Sequence, residues 1–237
     1  MRKKLFILVG LLLATHGLHA QDQPEYRMEI GAGAGMVAYV GDLNSNPLKG
    51  MKPMGSLVAR YKKNPRMAWT LNLGYGQLKG ATTDDKSWLP DVKEHPADFK
   101  TSLYDVQTRF ECNFWPFGTG KEYHGAQPLT PFLTIGLGFT IGNAKLTQAD
   151  AEPRKENCFA LQMPIGFGVK YKLADRMNLT AEWVIHFTGS DLLDGLEDPY
   201  GIRSQGLFKN TDGYGTLQLS LTYDFWERCR VCHNDRE

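Results

Sequence analysis

Beyond its first twenty residues the sequence has no run of about 18 apolar residues, so no helix of it is expected to cross a bilayer. Charge of one sign is also missing. Lys+Arg (27) and Asp+Glu (26) leave a net charge of +1 and a pI near 7.7, and the bulk electrostatic case for binding nucleic acid is absent. There is no phosphate-binding P-loop, no dinucleotide glycine fingerprint and no HExxH, and no internal repeat, low-complexity tract or second domain. Cysteine is scarce, at four residues.

What is present is alternation. The mean hydropathy of −0.37 is that of a soluble protein. A transmembrane barrel has the same low mean, because lipid-facing apolar residues alternate with polar luminal ones. At the N-terminus, Arg2, Lys3 and Lys4 precede an apolar stretch over 5–15 and an A-x-A-like site at Leu18-His19-Ala20 that departs from the pattern at Leu18. This run is too short to span and reads as a cleaved signal peptide over residues 1–20.

Eight segments then alternate with period two, near residues 27–34, 57–62, 69–75, 104–114, 133–141, 159–172, 178–187 and 217–225. In the fourth, Tyr104, Val106, Thr108, Phe110, Cys112 and Phe114 oppose Asp105, Gln107, Arg109, Glu111 and Asn113. An eleven-residue strand tilted by about 40° rises about 28 Å, close to the ~25 Å apolar band of a barrel. Long connections are expected at 37–53, 78–100, 143–157 and 189–213, and short turns at 62–66 and 174–177. The fold predicted is an all-β, eight-stranded antiparallel transmembrane barrel over 21–226 with both termini periplasmic, followed by a short tail over 227–237.

The inward positions carry both signs of charge: Arg27, Glu29, Arg60, Asp105, Arg109, Glu111, Lys170, Glu182 and His186. Eight strands enclose a lumen that side chains just fill, so these groups are expected to pair into a polar plug. Gly136, Gly138, Gly166 and Gly168 fit a tight lumen or strong curvature. Glu182, His186 and Ser220 share the inward face, as a lipid-modifying barrel enzyme would need. A satisfied polar core accounts for them better, and no catalytic residue is expected.

Cys229 and Cys232 with His233 match C-x-x-C-H, the c-type haem pattern. No surrounding domain could bury a porphyrin and zinc would need two more ligands, so a disulfide or thiol pair is favoured and no cofactor is expected. Cys112 faces lipid, and Cys158 lies near the other end of the barrel, too far away to bridge to it. The turn over 115–130 is long where turns are normally short. It is expected to expose Trp115, Phe117 and Tyr123, either as a docking surface or as a plain solvated loop.

Tyr39-Val40-Gly41-Asp42-Leu43-Asn44, the stretch Gly201-Ile202-Arg203-Ser204 … Lys209-Asn210, the final Leu221-Thr222-Tyr223-Asp224-Phe225 and the Cys-containing basic tail together resemble the PorG family. PorG proteins are small outer-membrane barrels of the type IX secretion system. The resemblance covers essentially the whole mature chain. It implies a non-enzymatic role in protein export, beside outer-membrane lipid and a periplasmic ring of PorK-like lipoprotein and PorN-like protein, with no small-molecule substrate. The turn residues above and Cys229, Cys232 and His233 are the expected ring contacts. The alternatives are an OmpA-like barrel acting through its outer loops and, less favoured, the lipid-modifying enzyme.

Overall fold

The computed structural model describes residues 25–40, 50–81, 97–119, 126–148, 154–189 and 213–227. The expected signal peptide, Tyr123, Cys229, Cys232 and His233 lie outside these. Eight strands occur in chain order: β1 Tyr26–Val40, β2 Lys52–Asn64, β3 Met67–Ala81, β4 Ala97–Asn113, β5 Leu129–Gln148, β6 Arg154–Ala174, β7 Met177–Thr188 and β8 Gly213–Glu227. They form one closed barrel, each strand antiparallel to the next, with β1 pairing both β2 and β8. Closure leaves no edge, which is what allows a sheet to sit in lipid.

The period-two pattern decides which face each residue takes. On β4, Tyr104, Val106 and Cys112 are exposed while Asp105, Gln107, Arg109, Glu111 and Asn113 are buried. The outer face is apolar: Leu57, Leu71, Leu133, Leu137 and Leu219 are all more than 40 % exposed, which only a lipid surround makes favourable. Aromatic pairs mark both ends of the band. Trp69 meets Phe110 edge-on at 5.3 Å near the turns, and Tyr75 meets Tyr104 at 4.9 Å toward the loops. Six residues of β3 separate Trp69 from Tyr75, about 20 Å along the strand. No described helix is long and apolar enough to cross a membrane.

Two turns are tight. Pro65 and Arg66 join β2 to β3, and Asp175 and Arg176 join β6 to β7, each beside a register shift (Lys62/Asn64 and Lys172/Ala174). Asn64 Oδ1 accepts the Arg66 amide at 2.9 Å, a side chain mimicking the turn backbone. Trp226 takes φ 65, which turns it away from the lumen, so Phe225 and Trp226 are both exposed where β8 ends.

The strands outrun the expected boundaries at the loop end. The connection expected over 143–157 is mostly strand: β5 runs to Gln148 and β6 begins at Arg154. Likewise β3 extends to Ala81 and β4 begins at Ala97. Above the lipid both faces of a strand meet water, so pairing continues after the hydrophobic alternation has stopped. Of the cysteines described, Cys112 is exposed and Cys158 is buried.

Strand packing is tight at Gly136, where a Cβ would sit 2.2 Å from the Thr108 carbonyl oxygen and 2.8 Å from Arg109 Cα. Backbone cannot yield there. Gly136→Val is expected to abolish barrel formation, read as loss of the heat-modifiable fast band on gels. Gly55→Ala, whose new methyl would approach nothing closer than the Gly33 carbonyl oxygen at 4.0 Å, is expected to fold like the parent.

Candidate functional site: the filled lumen and the turn beneath it

Strand tilt and closure bring distant inward residues together. Glu29 of β1 pairs with Arg60 of β2, and Arg60 Nε lies 2.8 Å from Glu111 Oε2 of β4. Lys170 of β6 reaches the same Glu111 oxygen at 2.5 Å and donates to Asn113 Oδ1 at 3.1 Å. Thr70 donates to Glu111 Oε1 at 2.6 Å and Thr222 to Glu29 Oε1 at 2.5 Å. Nearer the turns, Lys62 bridges Glu29 (3.1 Å) and Asp224 (2.5 Å), and Lys172 binds the other Asp224 oxygen. Higher up, Arg109 Nη2 spans both oxygens of Glu182 at 2.8 and 3.1 Å, and Gln218 donates to Glu182 at 3.3 Å.

Five cations (Arg60, Lys62, Arg109, Lys170, Lys172) thus pair with four carboxylates (Glu29, Glu111, Glu182, Asp224), while the fifth buried carboxyl, Asp105, accepts from the Gln107 and Gln162 amides. Such a set can be buried, since the paired charges offset one another and further hydrogen bonds satisfy what is left. Of the nine residues expected in this network, all but Arg27 are buried. Arg27 is only half-buried and takes part in none of these ion pairs. It stands nearest the barrel mouth. The remaining participants, Lys62, Lys172, Gln162, Tyr214 and Asp224, belong to the same inward parity.

Toward the loops the lumen becomes less polar. Gln162 accepts from Tyr214 at 2.8 Å and meets His186 Nδ1 at 2.7 Å, while its amide nitrogen donates to Asp105. Because the Gln162 oxygen can only accept, His186 carries its proton on Nδ1, and Nε2 accepts from Thr216 at 3.1 Å. The His186 ring stacks on Tyr214 at 4.2 Å. Above lies an apolar plug of Val37, Tyr39, Leu78, Leu103, Cys158 and Ala160. A cavity of about 10 Å³ between Val37, Leu103, Asp105 and Thr216 holds at most one water.

The Glu182–His186–Ser220 constellation is not assembled. Glu182 is committed to Arg109 and Gln218, and both His186 nitrogens to Gln162 and Thr216. No cluster of three or more His, Cys, Asp or Glu suited to a metal occurs among the described residues.

The long turn between β4 and β5 folds back across the barrel mouth. The Phe117 amide donates to the Pro65 carbonyl at 3.0 Å, and Gly118 and Gln127 close the turn's own ladder at 3.1 Å. Thr119 donates to Glu25 at 2.8 Å. Phe117, expected to be exposed, is instead buried at 7 %. Its ring lies 5.8 Å from Lys62 Nζ and 6.0 Å from Lys172 Nζ, so the two ammonium groups that hold Asp224 also draw the aromatic face inward. Trp115 is 44 % exposed, as expected. No periodicity in a turn could have separated these two aromatics.

A closed, lipid-faced barrel with a filled, ion-paired lumen is a small integral barrel of the bacterial outer-membrane type. Its sequence belongs to the family described as a domain of unknown function (DUF6089), whose model matches residues 3–234. No curated protein matches the chain. Among solved structures it is similar to Neisserial surface protein A (TM-score 0.50, 16 % identity, 84 % of this chain and 97 % of that one). A major outer membrane protein of Thermus thermophilus aligns at TM-score 0.45 with 14 % identity, over 84 % of this chain and 99 % of that one. The N-terminal β-barrel domain of Pseudomonas aeruginosa OprF aligns at 0.43 with 13 % identity, over 83 % and 97 %. Of these three, only the first is near enough in shape to bear on the fold.

Arg60→Met leaves Glu29 and Glu111 without their shared cation. It is expected to lower the unfolding free energy in vesicles by about 3–5 kcal/mol, measured by denaturant titration of tryptophan fluorescence. In planar bilayers the parent barrel is expected to show no steady open channel; a stable ohmic level would contradict a lumen filled from mouth to mouth.

Proposed function

We propose that this protein is a non-enzymatic outer-membrane component of the type IX secretion machinery, anchoring a periplasmic ring of PorK-like and PorN-like proteins. The observation that carries the reading is the filled lumen. Cargo has no route through ion pairs that span the barrel from Asp224 to Glu182, so the barrel must act by what its surfaces hold. The resemblance to the PorG family supplies the system. The signal peptide is cleaved and both termini lie in the periplasm, with the tight turns and the 115–130 turn on the same side. There Trp115 is the exposed anchor, and the tail with Cys229, Cys232 and His233 is the second contact. Phe117 serves that surface indirectly, by fixing the turn against the barrel mouth.

A second reading, an OmpA-like barrel acting through its outer loops, is favoured by the long β5–β6 hairpin, which continues above the aromatic belt to Gln148 and Arg154. The two readings separate in one experiment. The chain, tagged between residues 85 and 92, is purified from gently solubilised outer membranes and its companions are identified by mass spectrometry. PorK-like and PorN-like proteins are expected in defined ratio, and Trp115→Ala combined with removal of 228–237 is expected to lower their recovery about tenfold, the loss of one good anchor. Recovery of the barrel alone, from membranes that contain those proteins, would shift the function to the loops.

A further inference from the structure

Register pairing arranges the outer face of β3 to β6 in rows, each two residues higher than the last. Leu73, Val106, Phe139 and Leu161 lie side by side, followed by Tyr75, Tyr104, Ile141 and Phe159. Next come Gln77, Ser102, Asn143 and Asn157, and then Lys79, Lys100, Lys145 and Lys155. The chemistry climbs from aliphatic through aromatic and neutral polar to cationic within six residues of one strand. That is the profile of a surface leaving hydrocarbon for a headgroup layer. From Tyr75 to Lys79 is about 13 Å along the strand, or about 10 Å along the membrane normal at a tilt near 40°.

The lysine row is unusual in its own terms. Directly opposed like charges on neighbouring strands destabilise a sheet, and here three such pairs are consecutive. Lys79, Lys100 and Lys145 are exposed, and none of them forms an ion pair with a carboxylate among the described residues. Among the described residues, the nearest acid of the same outward parity is Asp98, one row higher on β4. The row is one-sided: Phe187, Gly213, Gly215, Met36 and Ala38, at the loop ends of β7, β8 and β1, carry no charge. Beside it β2 stops pairing at Met54, opposite Gly76, and uncovers the flank of β3. Lys52 approaches there, so that Lys52, Gln77, Lys79 and Lys100 line a recess of about 310 Å³ with Leu78 at its floor.

We infer that this row and recess bind the phosphate groups of a bis-phosphorylated glycolipid of the outer leaflet. Lysine ammonium is a compact, strongly hydrated charge suited to phosphate, on an apolar stem that lies along the barrel wall. Three interstrand steps give the row a width of about 14 Å, matching two phosphates set at opposite ends of a disaccharide headgroup. A phospholipid that carries a single phosphate would leave half the row uncompensated. The acyl chains of the glycolipid then descend over the Tyr75–Tyr104 and Leu73–Val106 rows. The inference is independent of the secretion reading; it requires only that the loop end face the outer leaflet.

The mature barrel, refolded in zwitterionic detergent, is titrated with purified bis-phosphorylated lipid A, its dephosphorylated form, phosphatidylglycerol and inorganic phosphate, with binding read by native mass spectrometry. Lipid A is expected to bind at least about tenfold more tightly to the parent than to the Lys79→Gln, Lys100→Gln, Lys145→Gln, Lys155→Gln variant, with the difference shrinking as salt is raised. Dephosphorylated lipid A is expected to show the same loss on the parent, an arm that needs no variant. In lipid-free detergent the variant is expected to melt at or above the parent temperature, because the repulsion along the row is gone. Equal binding by the variant, or by dephosphorylated lipid A, overturns the site. Phosphatidylglycerol or inorganic phosphate binding as tightly as lipid A overturns the glycolipid as its occupant.

Discussion

In lipid an unpaired backbone N–H or C=O has no water to turn to, and the whole molecule is arranged around that constraint. The pairing of β1 with β8, from Tyr26–Glu227 to Val40–Gly213, completes the ladder and makes every other feature possible. Once eight strands close, the interior volume is set, and what points inward must fill it. Glycines at Gly136 and Gly138 let neighbouring backbones approach, and long charged side chains occupy the space between.

Those charges are a consequence of closure as much as a choice. An arginine or a carboxylate pointing into a closed barrel cannot be left to solvent, so each is tolerated only with an opposite charge or hydrogen-bonding partners nearby. The chain from Asp224 through Lys62, Glu29, Arg60 and Glu111 to Lys170 joins strands that are far apart in sequence, and the Arg109–Glu182 pair adds a second tie across the lumen. Phe117 seals one mouth against two of these cations, and the Val37–Leu103–Cys158 cluster seals the other. A barrel sealed at both ends is a body with two exposed ends and a lipid-facing wall, and its work must be done there. The two surfaces singled out, the Trp115 turn and the lysine row, lie at opposite ends and do not compete.

Much of this is legible in the amino-acid sequence itself. Period-two alternation assigns nearly every membrane-level residue to its face, because lipid outside and a packed polar lumen inside impose opposite demands on neighbours in the chain. It marks Glu29, Arg60, Arg109, Glu111 and Glu182 as luminal with no knowledge of their partners. The same signal fades where both faces meet water. That is why Asn143–Gln148 and Arg154–Asn157 read as loop although they are paired strand. It is absent altogether in turns, so Phe117 and Trp115, two residues apart, looked alike and took opposite environments.

The sequence alone determined the class of the molecule, the number of its strands and the face each residue takes, since these follow from local alternation and from what a bilayer permits. Tertiary structure decided who meets whom. Lys79 and Lys155 are far apart in the chain and unremarkable singly; only interstrand register places them in one row. Glu182 and His186 are four residues apart on one strand, and the register of β7 against β6 and β8 gives His186 to Gln162 and Thr216 and Glu182 to Gln218, while Arg109 reaches Glu182 across the lumen from β4. Register is fixed by the closure of the whole sheet, a property that no single segment carries.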